Sequence, residues 1–465
     1  VTGSTSITGT LTYSSPTGTK TYNGLVTVNS GGIWKNDATG NADIHFHGGL
    51  TNNGTFSAGT GTYYFDTNDQ AIGGSNAMTI PNLVVENGRT LTNNNSGGLT
   101  VSALLKGTGL PDINGYTGGT LMQGATGVLN IGVADANFTL TTLDASTIGN
   151  TVNYSYAGIQ TVRVILYHNL TLRGSGAKTL ALGLTHTTGN LYLSGTASAT
   201  TADNLDVDGN LVIDQGASLT VGGFNFNVDG TTTITGTSST TNGKLTYGSA
   251  SGAKTLIGLV TVGTNGIWDN AINAPIFFEG GLTFSGKTFT AGNGIYTFQI
   301  TASQPIGGTV ALALPNVAIG AGVNLTNNNT VGLTINTALS GTGTLTQGAS
   351  GILNIGTTID NFTLSNLDAS ATGNTVNYSG SSQNVRAITY HHLMLSTSGA
   401  KDLASLTTIN GNLILSGTAS AATVANLNIG SNLTIGTGTL FTVGAFDMTV
   451  TGATSVTGTL THSSS

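Results

Sequence analysis

The chain repeats itself, and that repetition constrains its fold more than any single motif. Val1 to Gly9 reads VTGSTSITG, Val228 to Gly236 reads VDGTTTITG and Val450 to Gly458 reads VTGATSVTG, at shifts of 227 and 222 residues. Between these points GLVTVNSGGIWKN from Gly24 answers GLVTVGTNGIWDN from Gly258. LTNNN at Leu91 returns at Leu325, and GNTVNYS at Gly149 returns at Gly373. The 465 residues therefore divide into a first long repeat, 1–227, a second, 228–449, and the opening of a third, 450–465.

Each long repeat contains a shorter one. The phrase NL-x-L/I recurs at Asn169, Asn190 and Asn210 and passes to Thr231; the second copy gives His392, Asn412, Asn432 and Ala453, so the step is 20 or 21 residues. Leu170 and Leu172, Leu191 and Leu193, and Leu211 and Ile213 stand two apart, the period of a strand with one buried face. Gly, Ser, Thr and Asn fill the intervals and suit turns, while the 70 glycines and many β-branched residues oppose helices. A unit this short cannot bury its own apolar face, so units must stack. The prediction is an all-β fold, a right-handed parallel β-helix (β-solenoid) with about 20–21 residues per coil. Roughly 22 coils at ~4.8 Å each would make a rod of about 105 Å. Asn169, Asn190 and Asn210, with Asn412 and Asn432, are expected to stack in a side-chain amide ladder, with Leu above Leu inside.

Composition removes several function classes. Only 7 % of residues are charged, the net charge is −7, and the 12 basic residues are scattered, so no stripe exists to neutralise phosphates and no nucleic-acid partner is expected. Hydrophobic residues reach 38 % with a mean hydropathy of +0.15, which implies order rather than a polar disordered tract. Without cysteine there is neither a disulfide framework nor a thiolate metal site, a pattern compatible with bacterial surface proteins. No apolar run reaches the length of about 18 residues that a spanning helix needs. The 6 % aromatic content and the 20-residue period oppose an outer-membrane barrel. The chain opens at Val1 without Met and shows no signal-peptide pattern, so a mature or excised segment is expected. The copies differ by LPDINGYTGG after Gly109 and by a seven-residue excess between Gly236 and Leu245, both expected in turns.

Parallel β-helices also carry polysaccharide-cleaving enzymes, which need clustered carboxylates. The tightest cluster is Asp203, Asp206, Asp208 and Asp214, with Asp206 and Asp208 on one strand face. In the second copy Ala425, Asn428 and Gly430 replace Asp203, Asp206 and Asp208, so surface charge is the expected role. His45 and His47 alternate in DIHFHGG, yet sequence supplies no third zinc ligand, and the second copy has Phe277 and Glu279 there. Arg163 with Tyr167 and His168 returns as Arg386 with Tyr390 and His391, which reads as repeated local structure, a turn tied to Asp144 or Asp368. Lys20, Lys178, Lys254 and Lys401 each follow G-x and read as edge or turn charges that limit lateral pairing. No catalytic residue, cofactor or metal site is assigned.

The phrases GNTVNYSG, NLTLRGSGAKTL, GNLILSGTASA and GTGTLTQGASGILNIG resemble the Gly/Thr/Asn-rich strand repeats of giant bacterial surface proteins, similar in character to filamentous-haemagglutinin-type β-helical adhesins. That resemblance implies an exported, extracellular or cell-surface parallel β-helix serving adhesion, matrix or filament formation, not an enzyme. The expected partners are further copies of the chain, end to end or laterally, with surface glycans or other cells beyond them. Neither Val1 nor Ser465 lies in anything resembling a cap, so continuation into further copies or end-to-end stacking is expected. The alternative is a glycan-binding or carbohydrate-active β-helix. Its groove candidates are Tyr63, Tyr64, Phe65 and Asp66, of which the second copy keeps Tyr296 and Phe298.

Overall fold

A computed structural model describes the chain apart from residues 38, 109–117, 239, 301–302 and 464–465. Two compact units, Val1–Phe224 and Asn225–Ser465, each form a β-solenoid. Parallel coils of about 21 residues account for nearly all of the regular structure. The two short 3-10 turns, Asp135–Asn137 and Ile359–Asn361, occupy equivalent places in the two copies. Among the described residues no helix is long and apolar enough to cross a membrane.

Each coil has three sides, and each side stacks on its counterpart in the next coil. In the first unit, Thr5–Ile7, Val26–Val28 and Leu50–Asn52 begin one stack. Thr10–Thr12, Ile33–Lys35 and Thr55–Ser57 begin the second, and Lys20–Tyr22, Ile44–Phe46 and Thr62–Phe65 the third. Alternation makes the strands: Val26 and Val28 are fully buried while Thr27 between them faces outward, and the β-branched residues suit the pleat. Close approach sets the corners. Gly74 and Gly308 have φ of 108° and 129°, and a Cβ on either would strike a carbonyl of the coil beneath, Asn52 or Phe284.

Columns of like side chains fill the interior. Leu99, Leu129, Val152, Leu170, Leu191 and Leu211 lie in register up the first unit. Leu333, Leu353, Val376, Leu393, Leu413 and Leu433 do the same in the second. All are at most 1 % exposed, and burying each contributes about 1.5–3 kcal/mol. Since no coil can bury such a column alone, stacking and hydrophobic burial are one event.

The second unit also shows how the long repeat winds. Its opening strand, Thr232–Ile234, belongs to the stack of Val260–Val262. The equivalent strand that opens the third copy, Thr454–Val456, instead lies on Leu433–Ile435, in a different stack. A long repeat is therefore a whole number of coils plus one side. The insertion at residues 110–119 falls mostly outside the described residues. The excess after Gly236 forms a small antiparallel pair, Gly236–Ser238 with Thr241–Asn242, outside the parallel stacks.

Candidate functional site

The asparagine column binds each coil to the next mainly through side chain to main chain. Asn169 Oδ1 accepts from Asn190 N (3.0 Å) and Nδ2 (3.1 Å), and Asn190 Oδ1 accepts from Asn210 N (2.8 Å). In the second copy Asn412 Oδ1 accepts from Asn432 N (3.0 Å), and Asn432 Oδ1 accepts from Ala453 N (2.8 Å). A second set of amides lies inside. Asn93 Nδ2 donates to Gln123 Oε1 and Asn327 Nδ2 to Gln347 Oε1, all four residues fully buried. The coil stack supplies donors to these glutamine oxygens at a fixed height, whereas Gln123 Nε2 and Gln347 Nε2 lie buried without a partner among the described residues.

The Arg-Tyr motif is a corner clasp with no contribution from Asp144 or Asp368. Those carboxylates instead accept from Ser146 and Ser370. Tyr154 and Tyr167 share a hydroxyl–hydroxyl hydrogen bond of 2.7 Å, Tyr167 donates to Arg163 O, and Arg163 N donates to Tyr154. Tyr378, Tyr390 and Arg386 reproduce this arrangement. Each guanidinium lies over a ring, Arg163 at 4.1 Å from the centre of Phe138 and Arg386 at 4.5 Å from that of Phe362. Burial pushes Tyr154 up to about 12. The neighbouring histidines stay outside the clasp: His168 Nδ1 is 3.4 Å from Thr188 Oγ1, and His391 meets the ring of His392 edge-on at 4.2 Å.

The G-x-K lysines correct the expectation of edge charges. Lys178, Lys254 and Lys401 are at most 1 % exposed. Main-chain carbonyls cap their ammonium groups: Lys178 reaches Gly158 and Ser175, Lys254 reaches Ser251 and Gly252, and Lys401 reaches Gly380 and Ser381. Lys20, half-buried, binds Thr17 O and Gly18 O likewise. Each ammonium satisfies turn carbonyls that would otherwise lack donors. Burial lowers the lysine pKa values, that of Lys401 to about 8. A sequence signal existed: each lysine stands two residues before a buried Leu or Tyr and so shares its inward face.

The proposed glycan aromatics lie mostly inside. Tyr63, Phe65, Tyr296 and Phe298 are at most 1 % exposed. Tyr63 accepts from Asn36 Nδ2 (3.0 Å) and donates to Ala58 O, as Tyr296 accepts from Asn270 (3.1 Å) and donates to Ala291 O. Tyr64 alone of the set faces outward, stacked on His45 at 4.5 Å. Asp66 bridges the two histidines as a hydrogen-bond partner, one oxygen to each imidazole, and the three do not converge on a common point as metal ligands would. His45 Nδ1 is 2.6 Å from Asp66 Oδ2, and His47 Nε2 is 2.9 Å from Oδ1. The second copy puts Gln299 Nε2 2.8 Å from Glu279 Oε1 at this point.

The four aspartates separate. Asp203 accepts from Gly183 N (3.2 Å), and Asp214 accepts from the Tyr192 hydroxyl (2.8 Å). Asp206 and Asp208 do share a face, and His186 joins them: His186 Nε2 lies 2.7 Å from Asp208 Oδ1, and one ligand atom from each of the three falls within 4.8 Å of the others. Sequence reasoning missed His186, although it precedes Asp206 by 20 residues, one coil step, and pairs with it in register. No family model, curated protein or solved structure matches the chain.

Proposed function

We propose that the chain is a structural protein, a β-solenoid shaft segment of an extracellular bacterial fibre or adhesin that associates with further copies of itself. What supports this reading is the in-register stacking within each unit, where leucine and asparagine columns connect one coil to the next and Arg163 and Arg386, beside the tyrosine clasps, lie over rings of the preceding coil. Parallel ladders resist extension along the stack because many hydrogen bonds share the load. The outward Thr, Asn and Ser residues keep the surface polar and offer weak contacts that multiply along a fibre. Mechanical and interfacial work of this kind needs repetition rather than a single reactive centre.

Electron microscopy of the native material and of the purified chain tests the proposal. Filaments with an axial repeat set by the long sequence repeat are the expected result. A monodisperse monomer that stays soluble at high concentration, with no filament in the native material, would overturn self-association. Particles of that kind that also retain polysaccharides in a binding screen would favour the glycan-binding reading.

A further inference from the structure

His186, Asp206 and Asp208 form a ligand set that the shaft does not need. The strand His186–Thr187 pairs in parallel with Leu205–Val207, placing His186 beside Asp206 and Thr187 beside Val207. Thr187 and Val207 are fully buried, so His186, Asp206 and Asp208 all point away from the interior. A metal ion with bonds of about 2.1 Å joins ligand atoms up to about 4.2 Å apart, so atoms already within 4.8 Å need only small side-chain rotations to converge.

The second copy is an internal control for a purely structural role. There Thr408 pairs with Asn428 in the register that His186 and Asp206 adopt, and Gly430 stands for Asp208. The coils carrying these replacements keep fully buried columns at Leu393, Leu413 and Leu433. Gly430 could not host an aspartate without movement, because a Cβ there would lie 2.5 Å from Asn410 O. An exposed His–Asp pair such as His186 with Asp208 contributes only about 0–1 kcal/mol, so the coil does not depend on that pair.

The surroundings are also particular to the first copy. His186 borders a cavity of about 370 Å³ lined by Val164, Ile165, Leu166, Gly183 and Thr185. Val164 and Leu166 are 49 % and 43 % exposed, and Ala387 and Thr389 stand at their places in the second copy. Two carboxylates at this partly exposed site favour a cation, and Val164 and Leu166 leave an apolar surface beside it that is open to solvent.

We propose that His186 Nε2 and one oxygen each of Asp206 and Asp208 bind a single divalent transition-metal ion of the zinc or manganese class. One imidazole and two carboxylates suit borderline metals, whereas calcium takes six to eight oxygen ligands. Three protein ligands leave coordination positions for water or for a ligand lying in the adjoining groove.

The test titrates the full chain with Zn²⁺ by calorimetry and with Mn²⁺ by electron paramagnetic resonance near neutral pH, with Ca²⁺ as the comparison. One saturating equivalent of Zn²⁺ or Mn²⁺ is expected, with Ca²⁺ weaker. His186→Ala and Asp208→Asn should each lose at least the roughly 10–100-fold in affinity that removing a mere supporting contact costs. The double variant His45→Ala/His47→Ala should bind as the unmodified chain does. Unchanged affinity in His186→Ala, loss of binding in the His45/His47 variant, or no saturable binding at millimolar metal would each overturn the site. The second unit folds with Thr408, Asn428 and Gly430 at these outward places, and circular dichroism verifies that the variants stay folded.

Discussion

The two long repeats share most of their interior and differ in patches of their exterior; inside, the Tyr13–Tyr22 hydroxyl pair of the first copy is replaced by Tyr247 and Leu256 in the second. Asn36 and Asn270 hold the same corner through the same three hydrogen bonds, to Ala42 N, Ala42 O and Tyr63 in one copy and to Ala274 N, Ala274 O and Tyr296 in the other. Tyr154 with Tyr167 and Tyr378 with Tyr390 clasp equivalent corners. Outward, the copies still share the asparagine column and the Asp144–Ser146 and Asp368–Ser370 turns, but elsewhere they part: His45, Asp66 and His47 face Phe277, Gln299 and Glu279, and His186, Asp206 and Asp208 face Thr408, Asn428 and Gly430. Groups that close a corner or fill a column determine whether the coil forms. Outward groups are released from that demand, so chemistry particular to one copy is the place to seek function beyond the shaft.

Core truncation should break the interior equivalence most severely if it is false. Phe46 packs against Trp34, Tyr63 and Phe65, as Phe278 packs against Trp268, Tyr296 and Phe298; both are fully buried. Phe46→Ala and Phe278→Ala are each expected to cost about 3–5 kcal/mol. The two tryptophans fall one to each unit, so Trp34 fluorescence in a Trp268→Phe background reads the first, and the converse background reads the second. Losses that differ by more than the spread of repeat measurements would show that the copies do not share one core.

Much of this interior was legible from spacing. A period-2 apolar pattern inside a 20-residue period specifies stacked coils, and Leu170, Leu191 and Leu211 lie where that arithmetic puts them. Chemistry hid the rest. Lys178 looked like an edge charge because lysine rarely lies inside, yet its stem packs and its ammonium takes the carbonyls that a tight corner leaves over. Tyr63 looked available to a sugar, but the strand parity that exposes Tyr64 turns Tyr63 inward. His45 with Asp66 and His186 with Asp206 are each one coil step apart, so the period could have joined them. Composition suggests adding an outward contact only when position in the coil is read with it.

Titration sharpens the same comparison at high pH. Burial pushes Tyr63 and Tyr154 in the first unit and Tyr296 in the second up to about 12. The unfolded chain gives up these protons near 10, so their stabilisation is complete below that pH and is lost as pH rises through 12. Each accounts for about 3 kcal/mol when fully expressed. Lys401 acts oppositely: its folded pKa of about 8 lies below the unfolded value of 10.5, so stability grows as pH climbs between them. Stability is therefore expected to rise from about pH 8 and to peak near pH 10, where the lysine gain is nearly complete and the tyrosine loss begins. Above it, tyrosinate absorbance should rise together with loss of strand circular dichroism in both units. The full tyrosinate absorbance of all 13 tyrosines developing near pH 10 with the strand signal intact would refute the burial of these hydroxyls.

The smallest effect addresses the exteriors directly. Asp66 lies within hydrogen-bonding reach of two imidazoles from the preceding coil, whereas Glu279 meets a neutral amide, Gln299. Asp66→Asn replaces one carboxylate oxygen by a donor and sets it against an imidazole, with an expected cost of about 1 kcal/mol or less at such a partly exposed site. Glu279→Gln keeps a carbonyl to accept from Gln299 and should change stability by less still. Urea titration followed by the tryptophan of each unit measures both. A loss for Asp66→Asn that shrinks with added salt would identify the charge on the histidines as its source, since screening weakens ion pairs and leaves neutral hydrogen bonds. Equal, negligible changes would instead mean that these outward positions are energetically interchangeable, leaving the His–Asp–His group of the first copy with no part in holding its coils together.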